Sequence, residues 1–186
     1  MPNKDFFLSR LAQSIEDQTY TDYEIVWSMK GKMAENTNFA IKKAKGDIIK
    51  VLFMDDYFAH KDSLQKIADA FTGGWLVSGC LHDDGKGITD AHYPWYNEDI
   101  RKGKNTIGSP SVLAFENKEP LLFDEEMSWL LDCDLYHRLY ERHGQPTILN
   151  DLNVIIGIGE HQTSNLMSNE DKQLEHKYIE EKYETN

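Results

Sequence analysis

One stretch of the sequence decides the fold, Ile48-Ile49-Lys50-Val51-Leu52-Phe53-Met54-Asp55-Asp56-Tyr57-Phe58. Its apolar, β-favouring run is too short for a helix and predicts a buried strand of a parallel sheet. Asp55 and Asp56 then stand at the carboxyl end of the strand, the edge where open α/β sheets bind ligands. Two adjacent carboxylates repel each other, and a cation beside them relieves that repulsion. The same pattern also fits an acidic strand-to-loop turn that binds nothing.

The segments around this strand alternate between helical and extended patterns. Helices are predicted over 5–17, 34–45, 62–71 and 129–143, and further strands over 23–28, 75–81, 112–115, 147–149 and 153–158. This alternation predicts βα units and the α/β class, with a mostly parallel central sheet flanked by helices. No period covers residues 82–105, which we expect to form a loop.

The composition restricts both the architecture and the partners. A length of 186 residues suits one domain, which we assign to 1–166. The charge-rich segment 167–186 is expected to be a solvated helix or a frayed end. A net charge of −12 and a pI near 4.9 argue against nucleic acid and against an anionic membrane surface. Phosphate ligands stay compatible, because a divalent cation can reverse the local field.

Cysteine usage and hydropathy indicate the compartment. Cys80 and Cys133 have neither metal-site spacing nor a disulfide framework, which favours a reducing environment. No apolar run reaches the roughly 20 residues of a membrane span, and no signal peptide opens the chain. We therefore predict a cytoplasmic protein without a membrane span.

Three features could carry chemistry: the Asp55-Asp56 pair, Asp132 with Asp134, and His161. Asp132 and Asp134 lie near the start of a predicted helix, where the helix dipole stabilises carboxylates, so capping is an alternative role for either. His161 follows an extended run in a polar turn, where a histidine can be a ligand or simply solvated. The chain has no glycine cradle for phosphate, no Ser-His-Asp order and no Cys/His framework.

Six stretches occur in the order and at the spacing of the motifs of one family. They are LAQSIEDQTYTDYEIV (11–26), NTNFAI (36–41), AKGDII (44–49), LFMDDY (52–57), LDCDLYHRL (131–139) and HQTS (161–164). Over about residues 8–164, the chain thereby resembles the family-2 glycosyltransferases, which have the nucleotide-sugar-binding GT-A fold.

The resemblance implies an inverting transfer of a sugar from a nucleoside-diphosphate donor to an acceptor hydroxyl, on a saccharide, lipid or protein. It implies Mg²⁺ or Mn²⁺ as the cofactor and one aspartate as the general base. The implied roles are metal binding by Asp55, Asp56 and His161, base catalysis by Asp132, donor binding by Asn36, Asn38 and Asp55, and acceptor-side contacts by Trp129, Asp134 and Arg138.

The chain departs from the family in the nucleotide half of the site. The family opens with a strand before its first helix, whereas this chain starts at the helix, and Ser28-Met29 stands where the family has a base-recognising aspartate. These departures favour a second hypothesis, a non-catalytic GT-A-like module that binds a sugar or a partner protein. A nucleotidyltransferase is a weaker alternative, because only Lys30-Gly31-Lys32 represents the basic, glycine-rich loop of such enzymes.

Overall fold

The sheet is assembled from strands that are far apart in the sequence. The structure, a computed structural model, describes residues 4–29 and 31–184; Lys30 of the basic run and the end of the predicted tail lie outside the described residues. Its helices are α1 (Lys4–Glu16), α2 (Met33–Lys43), α3 (Ser63–Ala70), α4 (Leu131–His143), α5 (Thr163–Leu166) and α6 (Asn169–Glu184). Its strands are β1 (Ile48–Lys50), β2 (Tyr57–Phe58), β3 (Trp75–Asp83), β4 (Ile88–His92), β5 (Leu113–Glu116) and β6 (Thr147–Gly157).

The sheet is mixed, so the prediction of a mostly parallel sheet is wrong. The strand order is β1-β5-β3-β6-β2, and β4 pairs with β3. β3 and β6 are parallel, whereas β1–β5, β3–β5, β2–β6 and β3–β4 are antiparallel. β1, β3 and β6 thus share one direction, as the alternation predicted, and β5 enters between β1 and β3 in the opposite direction. β5 follows a long connection without a crossover helix, and a crossover helix is what makes the returning strand parallel.

The predicted strand over 23–28 is absent. Residues 20–29 form neither helix nor strand, and Ile25 and Trp27 are 47 % and 46 % exposed. Within the described ranges, no backbone hydrogen bond joins 23–29 to a strand. The segment and β1 both line one open cavity of about 1380 Å³. The sequence has the residue types of a strand here, but an extended segment becomes a strand only when another strand pairs with it.

The predicted loop over 82–105 contains regular structure. β3 continues to Asp83 and pairs with β4, and a 3-10 helix follows at Glu98–Lys102. β6 is one continuous strand where two short ones were expected, and its pairing with β3 contains register shifts around Gly79. Both differences arise because pairing with β3 stabilises residues whose own sequence pattern is weak.

The core forms where β3 packs against α4. The first six residues of β3 are buried, and the leucines that recur every four residues in α4, Leu131, Leu135 and Leu139, are at most 1 % exposed. Trp75 stacks on Tyr136 and donates its indole N–H to the carbonyl of Gly144 at 2.9 Å. The helical period read from the sequence therefore identified the inward face of α4 correctly.

The charge-rich tail is a packed helix. α6 covers residues Asn169–Glu184, and its Ile179 is 0 % exposed within the main core. Its charged residues also contact the loop before α4. Of the two expected forms, a solvated helix and a frayed end, the structure shows a helix whose residues are mostly exposed. A single buried isoleucine and the ion pairs of Lys182 with Asp124 and Asp134 attach it to the rest of the fold. Among the described residues, no helix combines the length and the apolar character that crossing a membrane requires.

We predict that Ile179→Ala lowers the free energy of unfolding by about 2–5 kcal/mol, because it removes a fully buried side chain and leaves a cavity. Leu174→Ala, on the same helix but 60 % exposed, is the matched control and should change it by less than about 0.5 kcal/mol. Chemical denaturation followed by circular dichroism measures both. Equal, small effects of the two substitutions would show that α6 does not belong to the cooperative fold.

Candidate functional site

The turn after β1 presents two carboxylates in different surroundings. Asp56 is 2 % exposed, and its Oδ1 accepts a hydrogen bond from the Gly157 amide at 2.9 Å. The Ser109 hydroxyl donates to Oδ2 at 3.3 Å. Burial, followed by the charge of Asp55, raises the pKa of Asp56 to about 7. Asp56 thus ties this turn to the end of β6, and its burial argues against a role as a metal ligand.

Asp55 reaches a histidine from the far end of the chain. Its Oδ2 lies 3.0 Å from Nε2 of His161, although 106 residues separate the two in sequence. The centroid of the Phe7 ring lies 5.2 Å from that of the imidazole. Asp55 and His161 keep part of their surface exposed and line the large cavity. The sequence analysis assigned both residues to one metal site, and the structure brings them into contact.

The backbone of Asp55 is held from two sides. A Cβ at position 157 would lie 2.6 Å from the Asp55 carbonyl oxygen, so the close approach of these two backbone segments requires glycine at 157. From α1, Arg10 donates to the same carbonyl at 2.7 Å and to Asp83 at 2.5 Å. The sequence analysis missed Arg10. The available signal was an arginine beside the apolar stripe of α1, three residues after Phe7.

A buried amine lies close to the acidic turn. Lys50 stands in the middle of the apolar run, and its Nζ donates to the carbonyls of Val51, at 2.7 Å, and Ser111. Burial lowers the pKa of Lys50 to about 7, and the nearby charge of Asp56 opposes that shift. Lys50 was not predicted from the sequence. A lysine inside an otherwise apolar strand indicates that its amine has a partner within the protein.

Asp132, in the first turn of α4, lines the same cavity. Its Oδ2 accepts a hydrogen bond from Nδ2 of Asn105 at 2.7 Å, and its Oδ1 accepts one from the Cys133 amide at 2.7 Å. Burial raises the pKa of Asp132 to about 6, and these hydrogen bonds oppose the shift. Asn105, at the end of the predicted loop, carried no signal in the sequence.

Asp134 has a role in the fold. It is 0 % exposed; its Oδ2 accepts two hydrogen bonds from the Arg138 guanidinium, at 2.9 and 2.5 Å, and its Oδ1 accepts one from the Tyr183 hydroxyl at 2.6 Å. Nζ of Lys182 lies 2.7 Å from the same Oδ1. The pairing of Asp134 with Arg138, four residues on, was expected from helical spacing. Asp134 is buried, Arg138 is paired with it, and neither residue lines the cavity, which argues against acceptor contact by either.

The side-chain amide of Asn38 is hydrogen-bonded within the protein. Its Nδ2 donates to the carbonyl of Phe123 at 2.9 Å, and its Oδ1 accepts the amide hydrogen of the same residue at 2.7 Å. Nδ2 also donates to Glu125 at 2.8 Å. Asn38 is 2 % exposed, so its placement argues against the predicted donor-binding role.

The remaining predicted residues, Asn36 and Trp129, both line the cavity. Oδ1 of Asn36 accepts a hydrogen bond from the Gly31 amide at 3.0 Å, and Nδ2 of Asn36 donates to the Gly31 carbonyl at 2.6 Å. The Ser28 hydroxyl donates to the same Oδ1 at 3.0 Å. The cavity therefore brings together two groups of residues that the sequence analysis assigned to one site. One group is Asp55, Asp56 and His161, and the other is Asn36, Trp129 and Asp132.

Asp55 and His161 form an open two-residue ligand set. An aspartate oxygen and an imidazole nitrogen suit Mn²⁺, and Mg²⁺ is commonly held by one or two carboxylates together with substrate phosphates and water. In the described parts of the chain, no group of three His, Cys, Asp or Glu side chains could hold a metal ion. The residues therefore fit a cation that is completed by a diphosphate, and they do not fit an enclosed structural metal.

Comparison with known proteins identifies the fold. Neither a protein-family profile nor a curated protein matches the chain. Among solved structures, S. aureus TarS 1-349 aligns with a TM-score of 0.64 and 16 % identity, over 84 % of this chain and 58 % of that one. Its complex with UDP aligns with a TM-score of 0.62 and 15 % identity, over 85 % of this chain and 58 % of that one. Its complex with UDP-GlcNAc aligns with a TM-score of 0.62 and 13 % identity, over 89 % of this chain and 59 % of that one. TarS is a glycosyltransferase, and this chain has a similar fold over little more than half of the length of TarS 1-349.

Proposed function

We propose that the protein transfers a sugar from a nucleoside-diphosphate donor to an acceptor hydroxyl, with inversion at the anomeric carbon and with a divalent cation. One observation carries the proposal: a single cavity is lined both by the Asp55–His161 pair and by Asp132. The fold is shared with TarS, whose structures include complexes with UDP and UDP-GlcNAc. That similarity supports a nucleotide-sugar as the donor.

Asp132 is assigned as the general base. It accepts the proton of the acceptor hydroxyl while the hydroxyl oxygen attacks the anomeric carbon from the face opposite the diphosphate. Asn105 holds the carboxylate in place. Asp55 and His161 would hold Mg²⁺ or Mn²⁺, which supplies charge neutralisation for the departing diphosphate. Asp56 stays outside the reaction and fixes the turn that carries Asp55.

The first prediction from the proposed function concerns the cation-binding pair. Asp55→Asn and His161→Ala should each weaken Mn²⁺-dependent binding of UDP about tenfold or more, because each removes one of two protein ligands. Asp69→Asn, an exposed aspartate of α3, is the control and should bind as the unaltered protein does. Isothermal titration with UDP, with and without Mn²⁺, measures the effect. Unchanged affinity in both site variants would refute the assignment of the pair.

The second prediction separates the two aspartates of α4. Asp132→Asn should keep UDP binding and lose about 10²–10⁴-fold in transfer rate, because it removes the base. Asp134→Asn should instead lower the free energy of unfolding by about 3–5 kcal/mol, because it removes the charge of a fully buried carboxylate that pairs with Arg138 and Lys182. Product formation from UDP-sugars and chemical denaturation are measured on both variants. Transfer that survives Asp132→Asn would contradict the assignment of the base.

The third prediction is a pH dependence. The base must be ionised to accept a proton, and the pKa of Asp132 is raised to about 6 by burial. The transfer rate should therefore be constant well above pH 6 and fall about tenfold for each pH unit below it. Initial rates between pH 4.5 and about 8 test this prediction. A rate that stays constant down to pH 4.5 would exclude a base with a raised pKa.

A non-catalytic sugar- or partner-binding module is the second candidate. The observation that favours it is the unpaired segment 23–29 on the nucleotide side of the cavity. Both candidates allow a sugar nucleotide to bind, so binding does not distinguish them. They differ in turnover, which only the enzyme carries out. A screen of nucleotide-sugars for hydrolysis in the presence of Mn²⁺ decides between them: release of UDP or GDP identifies the enzyme, and binding without release identifies the module.

A further inference from the structure

The loop that enters α4 carries site residues but has no regular structure of its own. Residues 124–130 contain neither helix nor strand, and Trp129, like Asp132 after it, lines the cavity. α4 begins after Leu130 without a side-chain cap from its own sequence. The first N–H groups of a helix have no partner within the helix. Groups from elsewhere in the protein must therefore hold this loop and the helix start.

Glu175 of α6 supplies those groups. Its Oε1 accepts a hydrogen bond from the amide of Ser128 at 2.7 Å, and its Oε2 accepts from the amides of Trp129 and Leu130, each at 2.9 Å. One carboxylate therefore binds three consecutive backbone amides at the start of α4. The helix dipole favours a negative charge at this position. Glu175 thus holds the three residues that lead into α4, the last of which, Leu130, is the N-cap residue of the helix.

Other residues of α6 anchor the same region. Lys182 and the Tyr178 hydroxyl bond Oδ2 of Asp124, at 2.6 and 3.0 Å, at the beginning of the loop. The imidazole of His176 lies edge-on to Trp129, with ring centroids 5.2 Å apart. These contacts, together with those of Lys182 to the buried carboxylate of α4, attach α6 to both ends of the loop. The loop is therefore held between α4 and α6.

We propose that Glu175 is a positioning residue for the acceptor side of the cavity. Through the three amides it fixes the first turn of α4, so that Trp129 and Asp132 keep their places on the cavity wall. Glu175 itself does not line the cavity and acts only through the backbone. The role of Asp132 in transfer rests on the proposed function, whereas the clamp on the loop does not.

The test uses an isosteric change in the full chain. Glu175→Gln keeps the shape of the side chain but replaces one acceptor oxygen with an NH₂ group, which is a donor and cannot accept from a backbone N–H. Glu180→Gln, an exposed glutamate of the same helix, is the matched control. Both changes alter the net charge equally, so the control accounts for general electrostatic effects.

Hydrogen exchange, followed by mass spectrometry without substrate, measures the clamp. In Glu175→Gln the amides of 128–130 should exchange about tenfold faster or more, as expected for the loss of hydrogen bonds to a charged group. The remaining segments, and all segments of Glu180→Gln, should exchange as in the unaltered protein. Unchanged exchange at 128–130, or equal acceleration throughout the chain, would overturn the proposal.

Activity gives the second readout. Glu175→Gln should lower kcat about tenfold while the Kd for UDP with Mn²⁺ stays the same, because the segments that carry Asp55 and His161 are not those that Glu175 holds. A change in the Kd for UDP with unchanged kcat would overturn the positioning role. If the unaltered protein binds no UDP, the proposed function fails, and local acceleration of exchange in Glu175→Gln still supports the clamp.

Discussion

The hydrogen bond from the Gly157 amide to the buried carboxylate of Asp56 joins the two segments that build the candidate site. One segment is the turn after β1, and the other is the end of β6, about a hundred residues later. Because Gly157 has no side chain, the two backbones approach closely. This contact places Asp55 within 3.0 Å of His161, just beyond β6. A buried carboxylate without these donors would be unstable, so the site geometry and the fold depend on the same hydrogen bonds.

The two acidic pairs, Asp55 with Asp56 and Asp132 with Asp134, show the same arrangement. In each pair one carboxylate is buried and satisfied by the protein, and its neighbour faces the cavity. Asp56 is held by Gly157, and Asp134 is held by residues of α4 and α6. Asp55 and Asp132 are then carried on backbones that the buried partners hold rigid. Buried hydrogen-bonded groups resist displacement because any opening leaves a polar group unsatisfied.

Sequence reasoning succeeded where a local pattern determines the outcome. The leucine period of α4 gave its buried face. Asp55, Asp132 and His161, assigned to one site from their motifs, line one cavity, and their roles stay predictions. It failed where the outcome depends on a distant neighbour. The direction of β5, the pairing of 23–28 and the packing of α6 are all set by tertiary contacts. Asn38 is a further example. Its side-chain amide forms two hydrogen bonds with the backbone of Phe123, 85 residues away, and the sequence around Asn38 does not indicate this contact.

The walls of the cavity differ in how firmly they are held. Buried hydrogen bonds fix the turn after β1, and Glu175 fixes the start of α4. Segment 23–29, which also lines the cavity, is held mainly by side-chain contacts; among them, the carboxylate of Glu24 accepts a hydrogen bond from the Gly46 amide at 3.0 Å. Segments with few buried contacts and exposed backbone open at low cost. A nucleotide that contacted this segment would have to order it, and the lost conformational freedom would reduce its affinity. The turn after β1 and the start of α4 are thus held by the fold more firmly than segment 23–29.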